Sequence, residues 1–194
     1  PTERIFTAGL RFEYLGSGGV DGTMDAPRIR WEVGTLTVDV APTGGVELIV
    51  ETDEAHLTAS DAVFTVTRNA LGTTIEIGRG SVVARCDGVR ENLIPGKGRA
   101  CLPVRAAGWI GRAEALAAAG RPPEAVLEAI ESGLRLAGQD DPARGELLAQ
   151  RIRVLVDLGK YADALSAADD YLESGATSRE DEVRSLAEGL RARR

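Results

Sequence analysis

The feature that most constrains the fold of this chain is the alternation of apolar and polar side chains across residues 46–85. The apolar members of the pattern are Val46, Leu48, Val50, Phe64, Val66, Ile75 and Ile77. Successive side chains of a strand point to opposite faces, so each run predicts a strand with one apolar face. Turn-forming residues separate the runs, for example Asn69 to Gly72. This punctuation predicts a series of short antiparallel strands.

The same period extends toward the N-terminus. Apolar residues alternate at Ile29, Trp31, Val33, Leu36, Val38 and Val40. The glycine-rich residues 16–19 interrupt an earlier strand and predict a flexible turn, and residues 41–45 predict a hairpin-type turn. About eight to ten strands at this spacing favour an antiparallel sandwich or a jelly-roll-like fold. A β-solenoid is the alternative.

Beyond Pro103 the hydrophobic period becomes helical. Two amphipathic runs meet at residues 120–122, where Gly ends the first helix and Pro begins the second. The pattern recurs 39 residues later, since Gly120 corresponds to Gly159 and Ala125 to Ala164. A last helix is predicted over roughly residues 178–193. The predicted fold class is therefore α+β in two segregated domains: an all-β domain over residues 1–104 and a domain of α-helical hairpin repeats over residues 105–194.

Composition limits the classes of partner. The formal net charge is −7, and acidic residues outnumber basic ones in both predicted domains. A phosphate backbone is bound by basic surfaces, so nucleic acid is excluded as a partner. The sequence has no apolar run of the roughly 18 residues that a membrane-spanning helix needs.

The strand-rich part resembles the FecR domain of bacterial cell-surface regulators. The residues that carry this resemblance are Phe64, Val66, Thr74, Ile75, Ile77, Gly80, Val82 and Val83. Asp61 and Ala62 stand where the family has Gly-Thr. The resemblance covers roughly residues 30–104. It implies an inner-membrane regulator of the anti-sigma type, which holds a sigma factor through a cytoplasmic segment and senses a periplasmic partner.

The helical part resembles tetratricopeptide repeats, which bind proteins in a groove lined by the first helix of each repeat. Trp109, Leu148, Gly120, Gly159, Ala125 and Ala164 carry this resemblance. It implies a protein-binding groove that includes Ile110, Glu114, Arg153 and Asp157. Trp109 is predicted either to contact the β-domain or to belong to the core of the first helices.

Cys86 and Cys101 are the two cysteines of the chain. The FecR resemblance places them in the periplasm, where a disulfide between them would close a loop of about 15 residues and contribute about 3 kcal/mol. Two buried thiols in a reducing compartment are the alternative.

No catalytic, cofactor-binding or metal-binding constellation is predicted. His56 is the single histidine, and it does not stand in a nucleophile motif. Two cysteines and one distant histidine do not supply the four ligands of a structural zinc site.

The sequence thus predicts a non-catalytic, periplasmic signalling region with a protein partner, either a sigma factor or a periplasmic or outer-membrane protein. Because the chain begins at Pro1, we expect an upstream segment that anchors it in the inner membrane. The alternative is a periplasmic module that binds a glycan or peptidoglycan fragment, or a scaffold.

Overall fold

The computed structural model describes residues 2–7 and 9–192, the first of these segments by its backbone. In those residues ten strands precede five helices. The strands are β1 (Thr2–Thr7), β2 (Leu10–Gly22), β3 (Pro27–Val40), β4 (Leu48–Glu51), β5 (Ala55–Ala59), β6 (Ala62–Asn69), β7 (Gly72–Gly80), β8 (Val82–Cys86), β9 (Val89–Leu93) and β10 (Arg99–Cys101). The helices are α1 (Ala106–Ala118), α2 (Pro123–Leu136), α3 (Pro142–Asp157), α4 (Tyr161–Glu173) and α5 (Glu180–Arg191).

The chain divides into two compact units, Pro1–Val104 and Arg105–Arg194. We call them the sheet unit and the helical unit. Their assignment to the FecR and tetratricopeptide families stays a prediction.

The strands form one mixed sheet with the order β10-β7-β6-β3-β4-β5-β8-β9, and β2 and β1 branch from β3. β3 is its centre: it pairs with β2 along one edge and with both β4 and β6 along the other. The β3–β4 pairing is parallel. The predicted fold class is therefore wrong, because the strands form a single curled, barrel-like mixed sheet followed by helices, and not an antiparallel sandwich in a segregated domain.

The residues between β3 and β4 show that β3 is strongly bent. Ile49 pairs with Arg28 at the start of β3, although the chain has just left the end of β3 at Val40. Nine residues reach at most about 32 Å, whereas a straight strand from Arg28 to Val40 would be about 40 Å long. Residues 41–47 are thus a crossover, and the predicted hairpin-type turn is wrong.

Two glycines permit the bend. Gly16 of β2 pairs with Gly34 of β3, and their φ angles are 146° and 101°. A Cβ atom at either position would overlap the backbone of the other strand. The glycine-rich residues 16–19 are therefore part of β2, and the flexible turn predicted there is wrong.

The curled sheet brings the two ends of the strand order together. Cys86 of β8 and Cys101 of β10 form a disulfide with a Cα–Cα distance of 5.5 Å. Nearby, Nη1 of Arg99 lies 3.5 Å from Oε2 of Glu91, which links β10 to β9. These contacts nearly close the sheet into a barrel.

The concave face of the sheet holds an apolar core. Leu36, Val38 and Val40 point into it, as the alternation predicts. Val33 does not, since it is 50% exposed. The pairing with β2 shifts between Ser17 and Gly18, which leaves Glu32 of β3 as an extra residue. This bulge reverses the alternation and turns Val33 outward.

The helical unit contains two hairpins and a final helix. One buried cluster joins α1, α2 and the start of α3, and the other joins α3, α4 and α5. Gly120 and Gly159 end the first helix of each hairpin with φ angles of 64° and 70°, the left-handed conformation that glycine adopts most easily. The side chain of Asp141 caps α3 by accepting a bond from the N–H of Ala143. Within the described residues, no helix has both the length and the apolar character required to cross a membrane.

Candidate protein-interaction surface

A row of polar side chains runs along one side of α3. Glu146, Gln150, Arg153 and Asp157 follow one another at intervals of four, three and four residues. This spacing places all four on one helix face over about 16 Å. The opposite face of α3 supplies Leu148, Ile152 and Leu155 to the core. The polar row therefore lies opposite the apolar side of an amphipathic helix, with Arg153 and Asp157 exposed and Glu146 and Gln150 half-buried.

Side chains of α1 and α5 meet this row. Gln150 donates through Nε2 to Oε1 of Glu114 on α1 at 3.2 Å. Arg153 donates through Nη2 and Nε to Oε1 of Glu182 on α5, at 2.6 and 3.1 Å. We call these six residues the front face: Glu114, Glu146, Gln150, Arg153, Asp157 and Glu182. The front face crosses α1 and α3, the first helices of the two hairpins, and the final helix α5.

A further ion pair fixes the loop before α5. Arg179 donates to both carboxylate oxygens of Glu146, at 2.9 and 3.0 Å. The phenol oxygen of the buried Tyr171 accepts a bond from the N–H of Arg179 at 2.8 Å. α5 is thus positioned by polar contacts as well as by its apolar side.

These pairs shift the ionisation of two groups. The hydrogen bond from Arg153 lowers the pKa of Glu182, and the charge of Arg179 lowers it further. The hydrogen bonds to Glu146 raise the pKa of Arg179. Glu182 and Arg179 are therefore both charged at neutral pH.

The front face has a net negative charge. Within the described residues, Glu114 and Asp157 have no cationic side chain within 4 Å, and both are exposed. Arg153 is neutralised by Glu182. The surface therefore offers two carboxylates to a partner, and a basic segment would complement them.

The four predicted groove residues lie on α1 and α3. Glu114 and Arg153 both belong to the front face, and Asp157 lies at its far end. Ile110 is half-buried and packs against the cluster of α1 and α2. That these four residues bind a partner stays a prediction.

Trp109 is 8% exposed and belongs to the same helical cluster as Ile130 and Leu147. The guanidinium carbon of Arg112 lies 5.6 Å from the centroid of its ring. No hydrogen-bond acceptor for Nε1 of Trp109 is found in the described part of the chain. A contact between Trp109 and the sheet unit stays a prediction.

A second cluster of charges lies in the sheet unit, at the point along β3 where its pairing partner changes from β4 to β6. β3 pairs with β4 at residues 28–30 and with β6 at residues 34–40. Arg68 of β6 lies in the gap between these two pairings. We call the gap, together with Arg68, Asp53 and Glu54, the fork. The guanidinium of Arg68 donates to the backbone carbonyl of Glu32 and to the carboxylates of Asp53 and Glu54.

The buried carboxylate of Glu54 has a second donor in Thr73, whose hydroxyl lies 2.7 Å from Oε2. Burial raises the pKa of Glu54, but the hydrogen bonds from Arg68 and Thr73 outweigh it, and the net pKa lies below the ordinary value. The fork is therefore an ion-paired and hydrogen-bonded network that joins the turn before β5 to β6 and β7.

The remaining residues singled out in the sequence lie apart from these clusters. His56 is on β5, where its Nδ1 is 3.2 Å from Oε1 of Glu51. In the described part of the chain, no three His, Cys, Asp or Glu side chains are grouped so that they could hold a metal ion.

Sequence reasoning missed Glu146, Gln150 and Glu182 on the front face, and Arg68 at the fork. The first two were detectable, because they continue the helical spacing that leads to Arg153 and Asp157. Arg68 was not, since its partners lie 14 to 36 residues away and become neighbours only through the strand order.

Comparison with known proteins yields structural matches alone. No protein-family model and no curated protein sequence matches this chain significantly. Two crystal structures of a "putative anti-sigma factor" from Parabacteroides distasonis match half of the chain at 16% identity, with TM-scores of 0.41 and 0.40. The matched regions are 48% and 49% of those chains, so this chain spans about half the length of each.

Proposed function

We propose that this chain is a non-catalytic signalling region of a FecR-like regulator of the anti-sigma type, and that its front face docks a protein partner. The observation that carries the docking role is the front face itself. It is one continuous polar surface across α1, α3 and α5, and two of its carboxylates have no cationic partner. Helical repeats of this kind bind proteins through the surface formed by their first helices.

The regulator class rests on the FecR resemblance in β6 to β8. Phe64 and Val66 of β6 and Ile75 and Ile77 of β7 are buried in the core of the sheet unit. The Cys86–Cys101 disulfide supports a location in an oxidising compartment, because disulfides persist there and are rare in the cytosol. We place the chain in the periplasm, anchored through an upstream segment.

The partner that fits the front face carries a basic segment. Like charges across an interface are costly, and opposite charges increase the association rate and select the partner. A periplasmic or outer-membrane protein with such a segment is the proposed signal, and the sigma factor is held by the upstream segment.

A reporter assay tests this function. A strain that lacks the gene is complemented with the full-length regulator, and a promoter that depends on its sigma factor is measured. The test variant carries Glu114→Lys and Asp157→Lys. The control variant carries Glu128→Lys and Asp170→Lys, which make the same change in charge on exposed positions of α2 and α4.

The test variant is expected to lose the response to the inducing signal, as the deletion strain does, because two repulsive charges replace two attractive ones. The control variant is expected to respond like the wild type. A normal response from the test variant would contradict the docking role, provided that its level in the cell is unchanged.

No second function is proposed. Glycan binding relies on exposed aromatic faces, and among the side chains that the structure describes, Tyr161 is the one aromatic residue that is largely exposed.

A further inference from the structure

A row of mostly basic side chains crosses the outer face of the sheet unit. Its members occupy directly opposite positions on β3, β4, β5, β8 and β9, which are neighbours in the sheet. Residues opposite one another on paired strands point to the same face. We call this set the basic row: Arg30, Glu51, His56, Arg85 and Arg90.

The basic row lies on the face of the sheet opposite the core. On β5, Ala55 and Leu57 are buried, whereas the side chain of His56 between them is 45% exposed. Arg85 and Arg90 are exposed as well. Because alternate residues of a strand point to opposite faces, the whole row points outward.

One end of the row is neutralised within the chain. The carboxylate of Glu51 lies 3.2 Å from Nδ1 of His56, and 3.9 and 4.0 Å from the Nε atoms of Arg28 and Arg30. A carboxylate oxygen of Asp21 lies 3.9 Å from Nε of Arg30. Two carboxylates therefore offset two guanidinium groups at this end.

The other end of the row has no such compensation. Arg85 and Arg90 are directly opposite each other on β8 and β9. Within the described residues, neither guanidinium has a carboxylate within 4 Å. Like charges at opposite positions of a sheet are destabilising. The chain carries a net charge of −7, yet it places two uncompensated cations side by side.

Protection of a sheet edge does not explain this pair. Charged side chains on an edge strand prevent pairing with other chains, and β9 ends the strand order. This accounts for Arg90, but Arg85 lies on β8, between β5 and β9. The arrangement therefore points to an anionic ligand.

A less polar row runs beside the basic row, two residues away along the strands. It consists of Ile49, Thr58 and Val83, which are opposite one another on β4, β5 and β8. All three are half-buried. An extended segment lying over both rows would place carboxylates against the arginines and apolar side chains against Ile49 and Val83.

We propose that the basic row binds an acidic segment of a partner protein, in which carboxylates alternate with apolar residues. A guanidinium group binds a carboxylate through two parallel hydrogen bonds. A bound carboxylate would also relieve the repulsion between Arg85 and Arg90. This surface belongs to the sheet unit and is independent of the acidic front face of the helical unit.

A membrane surface and a glycan fit the two rows less well. Peripheral membrane binding uses large apolar side chains that enter the headgroup region, and here the apolar side chains are half-buried. Glycans stack on aromatic faces, and the two rows contain no Phe, Tyr or Trp. The basic row spans about 19 Å across five strands, which about six residues of an extended protein segment would cover.

A peptide titration tests the proposal on the whole purified chain. The probe is an acetylated, amidated nonapeptide in which glutamate alternates with valine. In one control peptide glutamine replaces glutamate, and in the other serine replaces valine. Binding is measured by chemical-shift changes of the backbone amides, at low and at high salt. Vesicles of phosphatidylglycerol and phosphatidylcholine are tested in parallel.

The glutamate–valine peptide is expected to shift the amides of β5, β8 and β9, with an affinity that falls at high salt. The glutamine peptide should not bind, and the serine peptide should bind at least about threefold more weakly. Arg85→Gln with Arg90→Gln is expected to weaken binding at least about tenfold. The control, Arg79→Gln with Arg121→Gln, loses the same charge at other exposed positions and should bind normally.

Two further measurements separate direct contact from a structural role. Arg85→Glu with Arg90→Glu is expected to bind a peptide in which lysine replaces glutamate, which the wild type does not bind. Arg85→Gln with Arg90→Gln is expected to unfold at the same urea concentration as the wild type or at a higher one, because it removes the repulsion.

Any of four results would overturn the proposal: no shift in β5, β8 and β9 with the glutamate–valine peptide, undiminished binding by the Arg85→Gln, Arg90→Gln variant, lower stability of that variant, or binding of the vesicles but not of the peptide. Shifts that depend on protein concentration without peptide would instead assign the row to self-association and also overturn it. The variant with Glu114→Gln and Asp157→Asn is expected to bind the peptide normally, so failure at the basic row is distinguishable from failure of the front face.

Discussion

Arg68 explains how one strand can have two different neighbours on the same edge. Between β4 and β6, the backbone of β3 has a carbonyl, that of Glu32, without a ladder partner, and Arg68 donates to it. The same guanidinium pairs with Glu54, whose side chain is 7% exposed. A buried carboxylate is tolerated here because both of its oxygens accept hydrogen bonds.

Replacing Arg68 with methionine is expected to lower the free energy of unfolding by about 3 kcal/mol, because it leaves the carboxylate of Glu54 buried and without its cation. Urea denaturation at pH 7 measures this change. Arg79→Met is the matched control: Arg79 forms ion pairs on the surface of β7, and we expect a change below about 1 kcal/mol. Equal effects of the two substitutions would contradict the role of the fork.

The fork also predicts a pH dependence. The pKa of Glu54 in the folded protein lies below the ordinary value of 4.5, so folding favours its ionised form. The resulting stability is present above pH 4.5 and is lost as the pH falls through the lowered folded pKa. We expect the difference in unfolding free energy between the wild type and Glu54→Gln to shrink as the pH is lowered from 6 to 3. A difference that stays constant over this range would contradict the assignment.

The packing of individual helices depends on a glycine inside α2. A Cβ atom on Gly133 would lie 2.8 Å from Cβ of Trp109 and 3.0 Å from both methyl carbons of Leu147. α1, α2 and α3 can therefore approach one another only because this side chain is missing. Helix propensity alone would select alanine at this position.

Gly133→Ala thus has two opposite effects on the free energy of unfolding, a gain in helix propensity and a loss from overpacking. The gain in helix propensity is about 1 kcal/mol, and overpacking costs about 1–3 kcal/mol. We expect net destabilisation, measured by thermal or urea unfolding. Gly189→Ala in α5 is the control, because no atom lies within 4 Å of its added Cβ, and it is expected to stabilise the chain. Stabilisation by both substitutions would show that the helices are not packed this tightly.

For the elements, the sequence predicts the helical hairpins but not the order of the strands in the sheet. The repeat of 39 residues marks both hairpins, because helix periodicity and the glycines that end helices are local signals. The strand order is not local: β3 pairs with residues before and after it, and its parallel partner follows a crossover. The bulge at Glu32 arises from the register between β2 and β3, so alternation alone could not predict that Val33 points outward. The glycines of β2 stay in the strand because they pair with β3, which the local sequence does not show.

For the whole molecule, the disulfide is the covalent link that closes the curled sheet. β10 contains three residues and pairs with β7 alone in the described strands. Cys86 and Cys101 join it to β8, the neighbour of β9 at the other end of the strand order. Closing a loop of 15 residues contributes about 3 kcal/mol in the chain-entropy model.

Replacing both cysteines with serine is expected to lower the free energy of unfolding by about 3 kcal/mol. Hydrogen exchange should accelerate most in β8 and β10. Dithiothreitol should destabilise the wild type and leave the double variant unchanged. If reduction has no effect on the wild type, the disulfide does not hold the sheet together.

The central claim about the whole molecule is that the front face docks a protein partner. Photo-cross-linking in the cell tests this claim most directly. A benzophenone amino acid is placed at Asp157 on the front face or at Asp170 on α4, in the full-length regulator. We predict a single discrete adduct from position 157, none from position 170, and loss of the adduct when Glu114→Lys is added. Equal adducts from both positions, or an adduct from position 157 that Glu114→Lys does not affect, would contradict the account.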